Sequence, residues 1–449
     1  MSRTPQSLTS GPITAQLIRL AVPASVGMLF NTLYNLTDFW FAGLLSDQAL
    51  AGVSVAGSVF FLILSIGFGM QTGVSAVVAP EVGRDRLQAA SDFIDHAMGL
   101  ALVLSLIVAV AGFFVSQPLV RFLGAEADIE PLANAYLLVT FLGTPAFLLS
   151  FVAAGALMAF GDTKSNRNAL AVGFVLNFAI NPLLTFVFGW GVSGLALATV
   201  IIKAVSAVYL FYVLTKYTSR RIRPRFDPAA WLELRRQVMP ASFNMLTIIL
   251  GGFVTVALIG RFGSNFIAGY AVGLRLEQVL LLPALGLNSA ILAMAGQNFG
   301  AEKYDRVVAT YQSGLRVGFV MAVVSIPIMV FLSPLMMSVF SSDPTIIATG
   351  ATYLRIDAIA FFAYVVLFQS TACLQAIKQP LFPMVLGIAR QLVVPAAINY
   401  LLIVHMGFPM VSVFYTIIIT VLIAACISHF YTRRRLQLQL QGLQSPLPV

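Results

Sequence analysis

Charge is what this 449-residue chain has least of: Asp, Glu, Lys and Arg together make up 10% of it, against 59% hydrophobic residues. Soluble domains carry roughly 25% charged residues to keep a wetted surface, so this composition excludes a water-soluble globule. Cysteine is nearly absent as well. Cys373 and Cys426 are the only two, and both lie inside apolar runs. No external disulfide framework and no metal-ligand spacing is available, and both are expected to serve packing. Histidine is limited to His96, His405 and His429, each near the end of an apolar run and without a zinc or nucleophile pattern around it. That argues against a membrane enzyme. Two-residue alternation is missing, which excludes a spanning β-barrel. The N-terminus lacks the basic start, short apolar core and small-residue site of a signal peptide, so it is expected to stay in the mature protein.

What the chain does have is long apolar runs separated by short polar segments. A hydrocarbon core about 30 Å thick takes about 20 residues of helix. The runs predict an all-α integral membrane protein with twelve transmembrane helices, at 14–44, 50–80, 89–115, 131–159, 167–188, 193–215, 237–261, 267–299, 307–332, 345–377, 381–405 and 409–431. The net charge of +9 then has to be placed. Arg3, Arg84, Arg86, Lys164, Arg167, Lys303, Arg306, Lys378, the run from Lys216 to Arg236 and Arg433 to Arg435 fall at the termini or in even-numbered loops, whereas the opposite loops carry only Arg121 and Arg261. By the positive-inside rule both termini are cytoplasmic. The basicity records topology in a phospholipid bilayer and implies no nucleic-acid partner.

Sliding the sequence along itself by 217 positions reveals a duplication. Pro23, Ala24 and Ser25 fall on Pro240, Ala241 and Ser242; Gly43 on Gly260; Gly83 on Gly300; Tyr136 and Leu137 on Tyr353 and Leu354; Leu157 on Leu374. Each half holds six spans, an even number, so both enter the membrane in the same sense. Parallel repeats of this kind are a transporter architecture with the site near the midplane. The division is a first lobe at 1–215, a basic cytoplasmic linker at 216–236, a second lobe at 237–431 and a cytoplasmic tail at 432–449. The linker, KYTSRRIRPRFDPAAWLELRR, suits a solvated segment against anionic headgroups. The polar tail is expected to be mobile.

A charge inside hydrocarbon costs at least a few kcal/mol and is seldom kept without use. Asp38 lies in the outward half of the first span, preceded by Asn31, Tyr34 and Asn35 at spacings of seven, four and three. Those spacings place all four on one helix face, directed to the protein interior or a water-filled cavity. Asn177 and Asn181 share a face of the fifth span directly before Pro182, which frees backbone carbonyls. The repeat puts Thr255 opposite Asp38, so the two halves have diverged. The other intramembrane charges are Lys203, Arg275, Glu277, Arg316, Arg355, Asp357 and Arg390. Arg275 and Glu277 point to different sides of their helix, as do Arg355 and Asp357 on theirs, and Glu277 is a candidate partner for Arg355 across helices.

YNLTDFWFAG at 34–43, AGVSVAG at 51–57, LNFAINPLLTF at 176–186, GVSGLALATV at 191–200, and RLEQVLLLPALG with AGQNFGA within 275–301 together resemble the multidrug and toxic compound extrusion (MATE) transporters, and within them the DinF-type branch. The resemblance covers nearly the whole chain. It implies a prokaryotic inner-membrane protein with V-shaped lobes around a central cleft, exporting lipophilic cationic or amphipathic small molecules in exchange for protons or sodium ions, without other cofactors and as a monomer. The ion-coupling cluster carried over by motif comprises Tyr34, Asp38, Tyr136, Asn177, Asn181 and Thr199. Asn31, Asn35, Arg275, Glu277 and Asp357 are further candidates for substrate contact. Relatives often have Asp at position 181; here it is Asn, so a single carboxylate remains. One titratable group suffices for protons, which are favoured over sodium. A flippase for lipid-linked sugars is the nearest alternative, with Arg275, Arg355 and Arg390 as its lining; a channel without counter-transport is a third.

Overall fold

In a computed structural model, which describes residues 7–442, the chain is helical, with no strand among the described residues. The first half comprises α1 (Ile13–Leu45), α2 (Asp47–Gly83), α3 (Leu87–Phe122), α4 (Glu130–Leu142), α5 (Thr144–Ala159), α6 (Thr163–Pro182, continued by a π-helical Leu183–Val187) and α7 (Gly191–Thr218). The second comprises α8 (Pro228–Ile259), α9 (Ser264–Gly300), α10 (Tyr304–Phe331), α11 (Ser333–Ser338), α12 (Pro344–Asp357), α13 (Phe361–Ala376), α14 (Leu381–Ile388), α15 (Val394–Asn399) and α16 (Val411–Leu440). Eleven helices are long and apolar enough to cross a membrane, and α4 with α5, bent by 51°, makes a twelfth span. The twelve-helix expectation holds. Most helices outrun the apolar segments: α3 covers 36 residues, which at 1.5 Å each is about 54 Å against a core of about 30 Å. Hydropathy marks the stretch in hydrocarbon, whereas the helices end where capping residues stop them. Ser46 Oγ accepts from Ala49 N at 3.0 Å, Asp162 Oδ1 from Ser165 N at 2.9 Å and Asp343 Oδ1 from Thr345 N at 2.7 Å.

The duplication extends to the backbone. Arg86 N donates to Glu81 O and Lys303 N to Asn298 O, both at 2.9 Å, and Asp162 N donates to Leu157 O as Gln379 N does to Leu374 O, at 2.9 and 2.8 Å. Left-handed residues recur at the same spacing: Asp85 (φ 60°) with Glu302 (φ 58°), and Gly161 (φ 78°) with Lys378 (φ 61°). Both π-helical segments that close a span, starting at Leu183 and Tyr400, are also 217 apart.

Two compact units result, one of residues 26–242 and one of residues 8–25 with 243–442. The units therefore do not follow the division of the sequence at 215 and 237. The first part of α1 belongs to the second unit, and the first part of α8 to the first. Two glycines make room for these crossings, again in register. A Cβ at Gly69 would lie 1.9 Å from Ser242 Oγ, and one at Gly286 would lie 2.0 Å from Ser25 Oγ.

Three local expectations change. The linker is not merely solvated: α7 runs to Thr218, α8 starts at Pro228, and the segment between is tied to α3. Arg220 bridges Asp92 and Asp95 at 2.9 Å each, Arg225 Nη1 meets Asp92 at 3.0 Å, Arg223 N donates to Asp95 Oδ1 at 3.0 Å, and Trp231 Nε1 donates to His96 O at 3.0 Å. The tail from 432 continues α16 to Leu440, with Phe382 and Tyr431 stacked at 3.6 Å; residues 443–449 lie outside the described residues. Cys373 is buried as expected, but Cys426 is exposed.

Candidate functional site

The first unit gathers five of the six residues of the expected ion-coupling cluster into one hydrogen-bonded group. Asn177 and Asn181 sit four apart on α6, one turn, so both amides face the same way immediately before the helix widens after Pro182. Each donates its Nδ2 to Asp38 Oδ1 at 2.8 Å. Asn181 Nδ2 also reaches Asn177 Oδ1 at 2.9 Å. On α7, Thr199 Oγ1 donates to Asp38 Oδ2 at 3.2 Å and lies 3.3 Å from Leu195 O. Tyr34 OH donates to Thr199 Oγ1 at 3.0 Å. Asn177 and Asn181 are fully buried and Asp38 is 6% exposed. Tyr136 is buried on α4 and within electrostatic reach of Asp38 without a hydrogen bond to it.

Asn31 and Asn35 do not join. Both are half-buried, and neither bonds Asp38: Asn31 lies two turns, about 10 Å, away along α1, and Asn35 is rotated about 60° off the Asp38 direction. Shared face is a weaker condition than shared depth. Conversely, Lys203 belongs to the neighbourhood. One turn beyond Thr199 on α7, its Nζ lies 5.9 Å from the Tyr34 ring centroid, within electrostatic reach of Asp38. The four-residue spacing from Thr199 was the available signal. The single carboxylate is thus accompanied by a cation from another helix.

In the second unit, Glu277 on α9 accepts from Tyr353 OH of α12, and Asp357 Oδ1 accepts from Tyr364 OH at 3.1 Å. Both acids are buried, and Arg390, in a π-helical turn, lies within electrostatic reach of Glu277. Of the residues in this group, only Tyr353 has its counterpart in the first cluster, as the repeat partner of Tyr136. The expected pairing of Glu277 with Arg355 is replaced: Arg355 is exposed and donates to Val330 O at 3.2 Å. Arg275 is also exposed.

The sequence model of the MatE family matches residues 23–183 and again residues 240–401, one copy in each half and starting 217 residues apart. The chain belongs to the MATE family. It is therefore a membrane transporter, not an enzyme. This MATE chain is 27% identical over 361 residues to the probable multidrug resistance protein YpnP of Bacillus subtilis, covering 79% of the chain and 80% of that protein. It is 27% identical over 392 residues to the FAD transporter of Shewanella oneidensis, covering 85% and 86%. Among solved structures, a transporter of the MOP superfamily from Pyrococcus furiosus matches with a TM-score of 0.90 at 22% identity, over 98% of this chain and 99% of that one. An outward-facing multidrug resistance MATE transporter matches with a TM-score of 0.90 at 23% identity, over 97% and 99%. Those structures share the fold.

Proposed function

We propose that this MATE transporter exports lipophilic cationic or amphipathic compounds from a bacterial cell in exchange for protons, with Asp38 as the group that takes up the coupling proton. The observation that carries the reading is the position of the Thr199 hydroxyl between Asp38 Oδ2 at 3.2 Å and Leu195 O at 3.3 Å. With Asp38 ionised, Thr199 donates to it. With Asp38 protonated, the acid donates to Thr199 Oγ1 and the hydroxyl turns to Leu195 O, while Tyr34 keeps its acceptor throughout. Asp38 and Thr199 both keep hydrogen-bond partners in either charge state after one bond rotation, which avoids the cost of about 1–3 kcal/mol of orphaning either group. Protonation from outside weakens cation binding in the first unit, and the exchange drives alternating access.

Sodium is disfavoured by the same geometry, because hard cations take several oxygen ligands. The atoms aimed at Asp38 are two amide Nδ2 groups and a hydroxyl donor, and Lys203 already supplies a positive charge nearby. Positive-inside charge supports a plasma-membrane protein with both termini in the cytoplasm, and the completeness of the cluster within one chain supports a monomer. Relatives named as multidrug resistance proteins support the substrate class.

Proteoliposomes loaded with ethidium and challenged separately with a proton and a sodium gradient test this reading. A proton gradient is expected to drive exchange in the wild type, and Asp38→Asn is expected to abolish it. Full proton-driven exchange by the Asn variant would refute the mechanism. Flavin adenine dinucleotide, the cargo for which the Shewanella relative is named, is the anionic control and is expected to be left behind.

A further inference from the structure

A cavity of about 650 Å³ runs along the first unit between α3, α5 and α7. Leu142, Gly143, Val200, Ala204 and Val208 line its apolar length, and Tyr212, Arg221 and Ile222 form the end next to the linker. From Val200 to Thr215, both in its wall, α7 rises about 22 Å, more than the roughly 15 Å depth of one leaflet of hydrocarbon. Val208 is 71% exposed and Tyr212 60%, so the groove opens sideways along membrane-spanning helices, with a tyrosine at the depth where interfacial aromatics sit.

The charge at the linker end decides the occupant. Arg220 and Arg225 are held by Asp92 and Asp95. Arg221 projects at the mouth of the groove and, among the described residues, forms no ion pair. Lys216 Nζ lies over the Tyr212 ring at 4.4 Å from its centroid, which brings a second cation to the same end. No acidic residue lines the groove. A cationic drug would find no counter-charge there and would be repelled at the mouth. An amphiphile with an apolar tail and a negative head meets complementary surface throughout.

We propose that this groove holds one anionic phospholipid, with an acyl chain along α7 and its phosphate on Arg221 and Lys216. The inner end of the tail would rest at Gly143, where α4 and α5 bend by 51°. A Cβ at Gly143 would lie 2.1 Å from Val200 Cγ2, so α5 and α7 touch directly at that point. Val200 and Ala204 face the groove, whereas Thr199 and Lys203, their neighbours in sequence, face the Asp38 cluster. The lipid would thus brace the bend of one span and the back of the helix that carries Thr199.

The test is native mass spectrometry of the full-length, detergent-solubilised protein titrated with equal amounts of phosphatidylglycerol and phosphatidylcholine. The wild type is expected to retain one phosphatidylglycerol in preference. Each basic residue near an anionic headgroup contributes about 1 kcal/mol, so Arg221→Gln is expected to lower retention about fivefold and Lys216→Gln with Arg221→Gln about thirtyfold. Ala204→Leu, which narrows the groove, is expected to reduce retention of both lipids. Equal retention of the two lipids, no loss in Arg221→Gln, or displacement of phosphatidylglycerol by ethidium would each overturn the proposal. Should Ala204→Leu fail to fold, the exposed Arg221 variant still decides. Retention is read without transport, so failure here leaves the coupling role of Asp38 untouched, and the converse holds.

Discussion

Replacing Asn181 by Asp asks what a second carboxylate does to the cluster. The Asn181 Nδ2 that now donates to Asp38 Oδ1 at 2.8 Å would become an oxygen at nearly the same place. Two full charges 2.8 Å apart repel by about 6 kcal/mol even at an effective dielectric of about 20. That is comparable to the whole stability of many folded domains, so the pair must hold a proton or a metal cation between them. Lys203 offsets part of the repulsion. If about 2 kcal/mol of the remainder is released on sodium binding, sodium affinity rises about thirtyfold over the wild type. The assay is ethidium export from proteoliposomes under a sodium gradient at matched pH. The wild type is expected to be indifferent, and Asn181→Asp to be driven by sodium. If Asn181→Asp gains no response, or the wild type already responds as strongly, the view of the cluster as a donor cage around one acid is wrong.

Removing the switching hydroxyl should separate chemistry from fold. Thr199→Val leaves protonated Asp38 without an acceptor, costing about 1–3 kcal/mol and slowing proton-driven exchange about 5- to 150-fold, whereas Thr199→Ser should keep most of the rate. Equal rates for the two variants would discount the rotation. Gly286→Ala and Gly69→Ala each place a methyl about 2 Å from a serine hydroxyl of the crossing helix, and should each lower stability by about 1–3 kcal/mol, read as a drop in the thermal midpoint in detergent. Unchanged midpoints would mean those crossings are looser than described. At the start of α4, a hydrogen bond from Gln117 and the nearby Arg121 hold the Glu130 carboxyl below its usual range. A carboxyl so lowered stabilises the fold above its unfolded value and loses the contribution as pH falls through its folded one. Midpoints of wild type and Glu130→Gln should therefore differ at neutral pH and converge in acid; a gap that persists in acid would contradict this.

Much of the cluster was legible because helical spacing is a local property. Tyr34 with Asp38, and Asn177 with Asn181, are each one turn apart, and the repeat marked Tyr136 as the counterpart of Tyr353. What local spacing does not contain is depth and neighbour. Asn31 and Asn35 share the sequence pattern of the cluster, yet the Asn177 and Asn181 amides of α6 reach α1 only at Asp38, and elsewhere the two helices meet through apolar contacts such as Phe30 with Phe174 and Phe41 with Phe178. Lys203 looked like a stray charge until α7 was packed beside α1, and Arg355 lost its expected partner because Tyr353 occupies that place. The linker misled for a related reason: its arginines look solvated until Asp92 and Asp95, more than a hundred residues earlier, are brought beneath them. Hydropathy likewise reported the membrane rather than the helix ends, which caps set outside it.

The exchanged ends of α1 and α8 bear on how the protein is made. Residues 8–25 leave the ribosome well before their partners on α9, which come more than two hundred and fifty residues later, and the first unit stays incomplete until residues 228–242 follow. Neither half is a finished object on its own. A chain cut between Arg221 and Asp227 should yield two fragments that are each protease-sensitive alone and become resistant when co-expressed, because each carries the missing helix of the other.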